Sequence, residues 1–517
     1  MVGTKTTQFP DAVQYCRSTE NTTGYVINEG KCKHADLWDV KQGRVRLEVL
    51  GACIGSVEMR KAFLVEHLAS LSKVISRLKQ LPRHHALYIL RKSTSNKLRF
   101  LLRSMDLHGV DDQIASIDAM LYDTVDFLRE VRQGDSQAHE QAIKGLPGRM
   151  GGIGIYSYTE IQPLARRASL SSSRNVLVER GLSSKQKMVE LAEQKQREGV
   201  GEADNPYRQV GPTPDVEDEQ LQFVKQKQLT HDWMELKLKR LYDMLTSEQQ
   251  LVFIDNSSNI KVLDAIPLGS YRLLTDKQIA ATLNIFCLRK KHSGNICQCG
   301  QQNGISHYEV CPACDDIAKM RCYKHNAIRD QIIASINNKN NSTSKQVKAS
   351  SEPWVYDDRS NNNNQSRADI NISAQEGQAE NHEFYGKFDI MAKAVLSPHT
   401  ENARRQAETQ AVQEGVQDVL KLKRRQLQAA LQVGVDYKAN KYAAAARNGI
   451  KVTPLLISSG GTMHKTMFKA LKKIIPDGNQ RRWLLLDIAI SLVRGRAQVY
   501  SRDLGIVQQA DETAVGD

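Results

Sequence analysis

The sequence predicts a multidomain α+β protein, and three observations carry that prediction. A length of 517 residues suffices for three or so domains, and 40% hydrophobic residues can give each a packed core. Apolar spacing changes along the chain. Strand-like alternation near the start gives way to helical three-and-four spacing after Ala62, and strand-like segments return around Asp369 and Asp389. Between these regions, residues 171–220 shift to Ser, Gln, Glu, Lys, Gly and Pro, with GPTPDVEDE at 211–219, leaving little apolar surface to bury.

Residues 1–60 are short and strand-like, with Tyr25-Val-Ile followed by alternation through Val45, Leu47, Val49 and Leu50 up to the glycines Gly51 and Gly55. In 61–180, Phe63, Leu64, Leu68, Leu71, Val74, Ile75, Leu78 and Leu81 form one face of a helix that Pro82 ends. Further helices follow to about Arg132, then the turn Met150-Gly-Gly-Ile-Gly. Residues 181–250 read as a linker with a helix resuming near Leu221. A helical segment with a cysteine-rich knuckle follows at 251–325, then an α/β domain at 326–505 and a tail at 506–517. Asn-rich stretches at 337–344 and 361–364 mark loops inside the C-terminal half.

Residues 401 to about 432 contain no proline and carry Ala403, Ala407, Ala411, Val416, Val419, Leu420, Leu427, Ala430 and Leu431. They predict a single helix of roughly 45 Å at 1.5 Å per residue. Its other face holds Lys421, Lys423, Arg424 and Arg425.

Lys and Arg number 72 against 58 Asp and Glu, a formal charge of +14, with a sequence pI near 9.2. That balance favours a polyanionic partner, because cations near phosphates release condensed counterions, although charge alone fits a basic protein of another kind equally well. The N-terminus has no apolar h-region, and the longest apolar stretch, Trp483 to Val493, is about half the roughly 20 residues of a membrane helix. The expectation is a soluble intracellular protein, nuclear or cytoplasmic, with no membrane partner.

Nine cysteines in so long a chain, four of them within 297–314 beside a histidine, read as metal ligation and not as a disulfide framework. Cys297, Cys299, His307 and Cys311 supply the four N or S donors that Zn²⁺ takes in a tetrahedron, with Cys314 as a spare. The turn formers Gly300, Gln301, Asn303 and Gly304 let them converge. Four protein ligands leave no open position, so the zinc is structural. The competing reading is a set of separately buried thiols.

Arg367-Ala-Asp369-Ile-Asn-Ile and Gly386-Lys-Phe-Asp389-Ile-Met391-Ala each alternate apolar and polar residues across a turn-rich connection. A hairpin would set both carboxylates side by side, where they can hold a divalent ion that activates water and neutralises charge on a scissile phosphate. Taken alone, solvated surface aspartates explain the pattern as well. A separation beyond about 8 Å would defeat the site, since one ion binds oxygens near 2.1 Å. Lys438 and Lys441, three apart at the end of the long helix, share a face and can bring an ammonium beside a phosphate. Gly460 and Gly461, after the strand Val452 to Ile457, could offer backbone N–H groups to a phosphate or simply turn the chain. Asp111-Asp112 would suit a polymerase metal pair, but it sits in a helical region after His108-Gly-Val and is set aside.

Together these residues resemble the C-terminal part of non-LTR (LINE-type) retrotransposon reverse transcriptases that end in a restriction-like endonuclease. TGYVINEGKC (23–32) and LEVLGACIGS (47–56) look like the last palm segment and primer-grip turn, and LRFLLRSM (98–105) and RMGGIGIYS (149–157) resemble the thumb. CQCG (297–300), HYEVC (307–311) and KHNAIRD (324–330) resemble the knuckle and its following helix. RADI (367–370), FDI (388–390), Lys441-Tyr442 and TPLLISSGG (453–461) then come in the family's order. The likeness covers roughly 20–170 and 250–500.

The resemblance implies a palm remnant, a mostly helical thumb-like domain, a zinc knuckle and a C-terminal α/β restriction-endonuclease-like domain. It also implies Mg²⁺ on Asp369 and Asp389, a catalytic lysine from the helix with Lys441 favoured over Lys438, and a catalytic role for His325, which a plain helix-face histidine would not have. Ala368 stands where many members have proline, and Met391 where simpler nucleases of this fold keep the lysine. The polymerase carboxylates would be expected before residue 20, where the sequence lacks them. The expected function is metal-dependent nicking of a DNA target, whose 3′ hydroxyl primes copying of the retroelement RNA, with a complete reverse transcriptase acting in trans. The alternatives are an inactive relic that only binds nucleic acid and a zinc-containing interaction scaffold.

Overall fold

The computed structural model describes residues 47–49, 51–132, 134–179, 225–267, 272–290, 307–309, 316–338, 347–351, 354–356, 366–374 and 386–501. The segment around Tyr25 and the ligand candidates Cys297, Cys299, Cys311 and Cys314 lie outside them. The chain divides into two compact units, one of Met1–Leu81, Ile89–Thr124 and Ile155–Lys237, the other of Pro82–Tyr88, Val125–Gly154 and Leu238–Asp517. Both are built largely of helices, and the second holds the main sheet, so the class is α+β.

In the first unit, strands β1 (Leu47–Val49) and β2 (Ala52–Ile54) pair antiparallel around Gly51, whose φ of +77° suits a residue without a Cβ. Ser56 then caps helix α1 (Val57–Leu78), accepting a hydrogen bond from Met59 N. Phe63, Leu64, Leu71, Ile75 and Leu78 are buried along it, as the three-and-four spacing predicts. The chain continues through α2 (Arg83–Lys92), α3 (Leu101–Ser104), α4 (Asp111–Arg129), α5 (Ala138–Gly145), α6 (Tyr158–Glu179), α7 (Gln226–Met244), α8 (Ser247–Ser257) and α9 (Asp276–Phe286), of which α5, α8 and α9 belong to the second unit. Asp111 and Asp112 are exposed in the first turn of α4, where negative charge complements the helix dipole; that position accounts for the pair. Asp118 of α4 holds the start of α6, accepting from Tyr158 N at 2.5 Å, Thr159 N at 3.0 Å and Ser157 Oγ at 2.6 Å.

The second unit is organised by a four-stranded sheet. Its strands, in spatial order, are β3 (Val347–Ser351), β6 (Ile370–Ala374), β7 (Gly386–Lys393) and β8 (Val452–Ser458). A separate antiparallel pair is formed by β4 (Trp354–Tyr356) and β5 (Ser366–Arg367). Strand β3 pairs with β6 and β6 with β7 antiparallel, whereas β7 and β8 are parallel, so the chain must cross back between them. The crossover consists of α11 (Glu401–Gln413), α12 (Val419–Lys441) and α13 (Ala443–Arg447). Helix α10 (Asp316–Asn337) precedes the sheet and runs across the 325/326 boundary expected from sequence, and α14 (Lys465–Ile474) and α15 (Gly478–Ser501) follow it.

One sheet face makes the core. Ile370, Ile372, Phe388, Ile390, Leu455 and Ile457 pack with Ile328, Ile332 and Ile336 of α10, Met467, Leu471 and Ile474 of α14, and Leu484, Ile488 and Leu492 of α15. The side chain of Asn337 pins the end of α10 to β3, donating to Ala349 O and accepting from Ala349 N, both at 2.9 Å. The opposite face receives α12. A Cβ on Gly434 would lie 2.2 Å from Leu456 Cδ2 and 3.2 Å from the Met391 sulfur, so the glycine lets that helix sit directly on β7 and β8.

The single long helix expected over 401–432 is two helices. Glu401–Gln413 ends where Gly415, at φ +71°, turns the chain left-handed, and Asp418 caps the next helix by accepting from Lys421 N at 3.1 Å. The basic run is correspondingly divided in use. Lys423 is buried and donates to Ser247 Oγ at 2.6 Å, and Arg425 pairs with Glu414. No described helix is long and apolar enough to cross a membrane.

Candidate metal centre

Alternation along β7 sends Phe388 and Ile390 into the core and turns Asp389 between them to the face covered by α12. Asp369 lies just before β6, its N–H donating to Phe388 O at 2.9 Å, so the two carboxylates meet on neighbouring strands. Ile390 N donates to Asp369 Oδ2 and fixes that carboxylate. Ala368 is fully buried against Tyr442 and Ala445.

His325 arrives from the other side. It lies three residues before Ile328, on the α10 face that continues through Ile332 and Ile336, and so projects toward the sheet one turn beyond the core. Its Nε2 is 3.0 Å from Asp369 Oδ2. Ligand atoms of His325, Asp369 and Asp389 all fall within 4.8 Å of one another, and among the described residues theirs is the one such group of three.

Cations come from α12. Leu427, Ala430, Leu431, Gly434 and Lys438 share its buried face, so the close approach at Gly434 carries Lys438 to the carboxylates one turn later. Lys438 Nζ is 2.7 Å from Asp389 Oδ2, and Lys441 Nζ is 3.8 Å away. Lys441 instead donates to Tyr442 Oη at 2.9 Å and lies over that ring. The distances thus bring Lys438 nearer than Lys441, the lysine the resemblance favours. Met391 faces the same helix, so the ammonium at this position comes from α12 and not from β7.

Electrostatics separate the two acids. Burial, then the neighbouring Asp369, push the Asp389 carboxyl up to about 6, with Lys438 opposing. Burial also opposes ionisation of Asp369, but hydrogen bonds from His325, Asp389 and Ile390 N outweigh it and hold this carboxyl well below the usual range. His325 is raised above the ordinary histidine value, chiefly by its hydrogen bond to Asp369. Burial and the charge of Asp389 raise the Tyr442 phenol. Such a set, with one carboxylate held ionised, a second that keeps its proton up to about pH 6 and an imidazole in reach, has the donor chemistry of a divalent-cation site.

The glycine turn after β8 serves another purpose than the phosphate cradle considered from sequence. Its amides are already engaged: Gly460 N and Thr462 N donate to Asp255 at 3.1 and 3.3 Å, and Ser458 Oγ donates to the same buried carboxylate. Asp255 fills the place an anion would take. Behind it lies a group of buried charges that no local pattern announces. Arg496 binds Glu309 and donates to Asn256 Oδ1 at 2.7 Å, while the Lys324 stem packs on Gly495. Burial opposes ionisation of Glu309, yet Arg496 and Lys324 hold it below its usual range. These contacts join 187 and 240 residues of separation, which is why sequence reading passed over them. Of the zinc ligands expected from sequence, His307 alone is described; it is largely buried and opens the short 3₁₀ turn His307–Glu309 that carries Glu309 into this group. No family model matches the chain, and no curated protein matches its sequence.

Proposed function

We propose that the sheet and its flanking helices form a restriction-type endonuclease domain that hydrolyses DNA phosphodiesters with a divalent metal ion, within the C-terminal part of a non-LTR retrotransposon reverse transcriptase. The observation that carries this reading is the convergence of His325, Asp369 and Asp389 within 4.8 Å, with Lys438 at 2.7 Å from Asp389, out of four separate elements. A Mg²⁺ ion held by Asp369 and Asp389 would supply Lewis-acid activation of water and charge neutralisation at the phosphate. Lys438, with Lys441 behind it, stabilises the added negative charge of the phosphate, and His325, oriented by Asp369, takes the proton of the attacking water. Mn²⁺ takes the same carboxylate ligands and should replace Mg²⁺. In the same reading the knuckle of Cys297, Cys299, His307 and Cys311 holds a structural Zn²⁺, and retroelement RNA is the second nucleic-acid partner.

The test is nicking of supercoiled plasmid by the full chain. Nicked circles form with Mg²⁺ or Mn²⁺ and none with EDTA. The Lys438–Asp389 ion pair favours a second reading, in which the ammonium has taken the metal's place and the protein only binds nucleic acid. Salt-dependent DNA binding without nicking in either metal decides for that one.

Protons give an independent check. Metal ligands must be deprotonated, while Asp389 holds its proton more tightly than usual before metal arrives. Binding of Mn²⁺ therefore releases protons near pH 6, and the release fades as Asp389 empties by about pH 8. Calorimetry in two buffers of different ionisation enthalpy should show this release, with apparent affinity rising over the same window. Proton uptake, or affinity falling with pH, refutes the assignment.

A further inference from the structure

We infer that the outer face of α14 is the surface that holds the phosphate backbone of duplex DNA at this centre; the inference rests on the endonuclease reading and names where its substrate is gripped. Helix α14 reads Lys-Thr-Met-Phe-Lys-Ala-Leu-Lys-Lys-Ile and contains no acid. Lys465, Phe468, Lys469, Lys472 and Lys473 recur at three and four and are all exposed. The opposite face, Met467, Leu471 and Ile474, is locked in the sheet core, so the direction in which the lysines point is set by the fold.

Among the described residues none of the four ammonium groups has an ion-pair partner. The next acid along the chain, Asp477, is engaged in capping α15, accepting from Asn479 N at 2.6 Å and Gln480 N at 3.0 Å. The charges on α14 are thus left for solvent or a ligand, whereas the run on α12 has lost Lys423 to burial and Arg425 to Glu414.

Position strengthens the case. His464 N donates to Leu456 O at 2.9 Å and Thr466 Oγ1 to Pro454 O at 3.3 Å, and Pro454 is the residue in register with Asp389. The lysine row therefore begins beside β8, the strand next to the one carrying Asp389, on a helix that packs on the other face of the sheet from Asp389. Ten residues of helix extend it about 15 Å, a length over which duplex DNA presents about nine phosphate charges. An anionic membrane is the other partner a lysine-and-phenylalanine helix suggests. Insertion would need the apolar face free, and that face is in the core.

The test is the full chain with Lys465→Gln, Lys469→Gln, Lys472→Gln and Lys473→Gln together, substitutions at exposed positions that leave the core intact. Anisotropy of a fluorescein-labelled duplex is followed against KCl concentration. At about 0.9 per phosphate contact, the slope of log affinity against log salt should become shallower by about 3 to 4, with affinity in low salt at least about tenfold weaker. Mn²⁺ affinity at the centre should not change. Wild-type slope and affinity in the variant overturn the inference, as does a wild-type chain that binds no duplex. Loss of binding to phosphatidylserine vesicles with duplex binding intact also overturns it, in favour of a membrane. The two readings fail separately. If wild type never nicks but the four substitutions still flatten the salt slope, the endonuclease reading falls and the DNA-binding face stands; nicking at wild-type rate and salt dependence in the variant does the reverse.

Discussion

Asp389→Asn is expected to abolish nicking, by a factor of about a thousand or more, which corresponds to ~4 kcal/mol of transition-state stabilisation. The amide keeps the shape of the carboxyl but removes the charge that would face a metal ion, and metal-dependent hydrolysis depends on that charge. Stability should move the other way. Asp389 has a folded value raised to about 6, against an ordinary value near 3.9. The native state therefore holds the proton more tightly, and ionisation costs stability as pH rises from about 4 through about 6. At pH 7 the wild type bears that full cost and the asparagine variant does not. Nicking rate and melting temperature measured together at pH 7 separate the outcomes. Lost nicking with an unchanged or higher melting temperature supports a chemical role, while lost nicking with a lower melting temperature makes Asp389 a structural residue.

Arg496→Met should produce the largest loss of stability. Its side chain is 4% exposed, its partner Glu309 6%, and its second contact is the buried amide of Asn256. Methionine fills similar volume but takes away the guanidinium that holds Glu309 charged, and removal of one partner from a buried pair costs about 3–5 kcal/mol. The urea midpoint of the transition that unfolds the sheet should fall accordingly. Adding Glu309→Gln should cost less than the sum of the two single changes, because the residues are in contact. Additive losses would show that the pair does not act as one.

Much of the site was legible because its elements are periodic. Asp369 and Asp389 each sit in an alternating run, and their meeting on neighbouring strands needs only a register that buries Ile370, Phe388 and Ile390. Lys438 and Lys441 were visible as a pair, but which one reaches Asp389 depends on how closely α12 lies on the sheet. That closeness is decided by Gly434 against Leu456, a contact between positions with no sequence relation. The break in the long helix was written locally: Gly415 followed by Asp418 is a C-terminal glycine and then an N-cap, which the absence of proline obscured. The lysines of α14 were equally periodic, yet their exposure only follows once Met467 and Leu471 are seen to face the core. Asp255 was beyond reach, since its partner Ser458 lies 203 residues away.

Strand β7 has one further consequence. Its successive residues Phe388, Asp389 and Ile390 answer to opposite sides of the sheet, so a slip of one position would thrust a carboxylate among isoleucines and strand two apolar side chains beside lysines. Neither error is tolerable. Asp389 thereby proofreads the assembly of its own scaffold, and a chain that has brought it to Lys438 has, by that fact, folded in the right register.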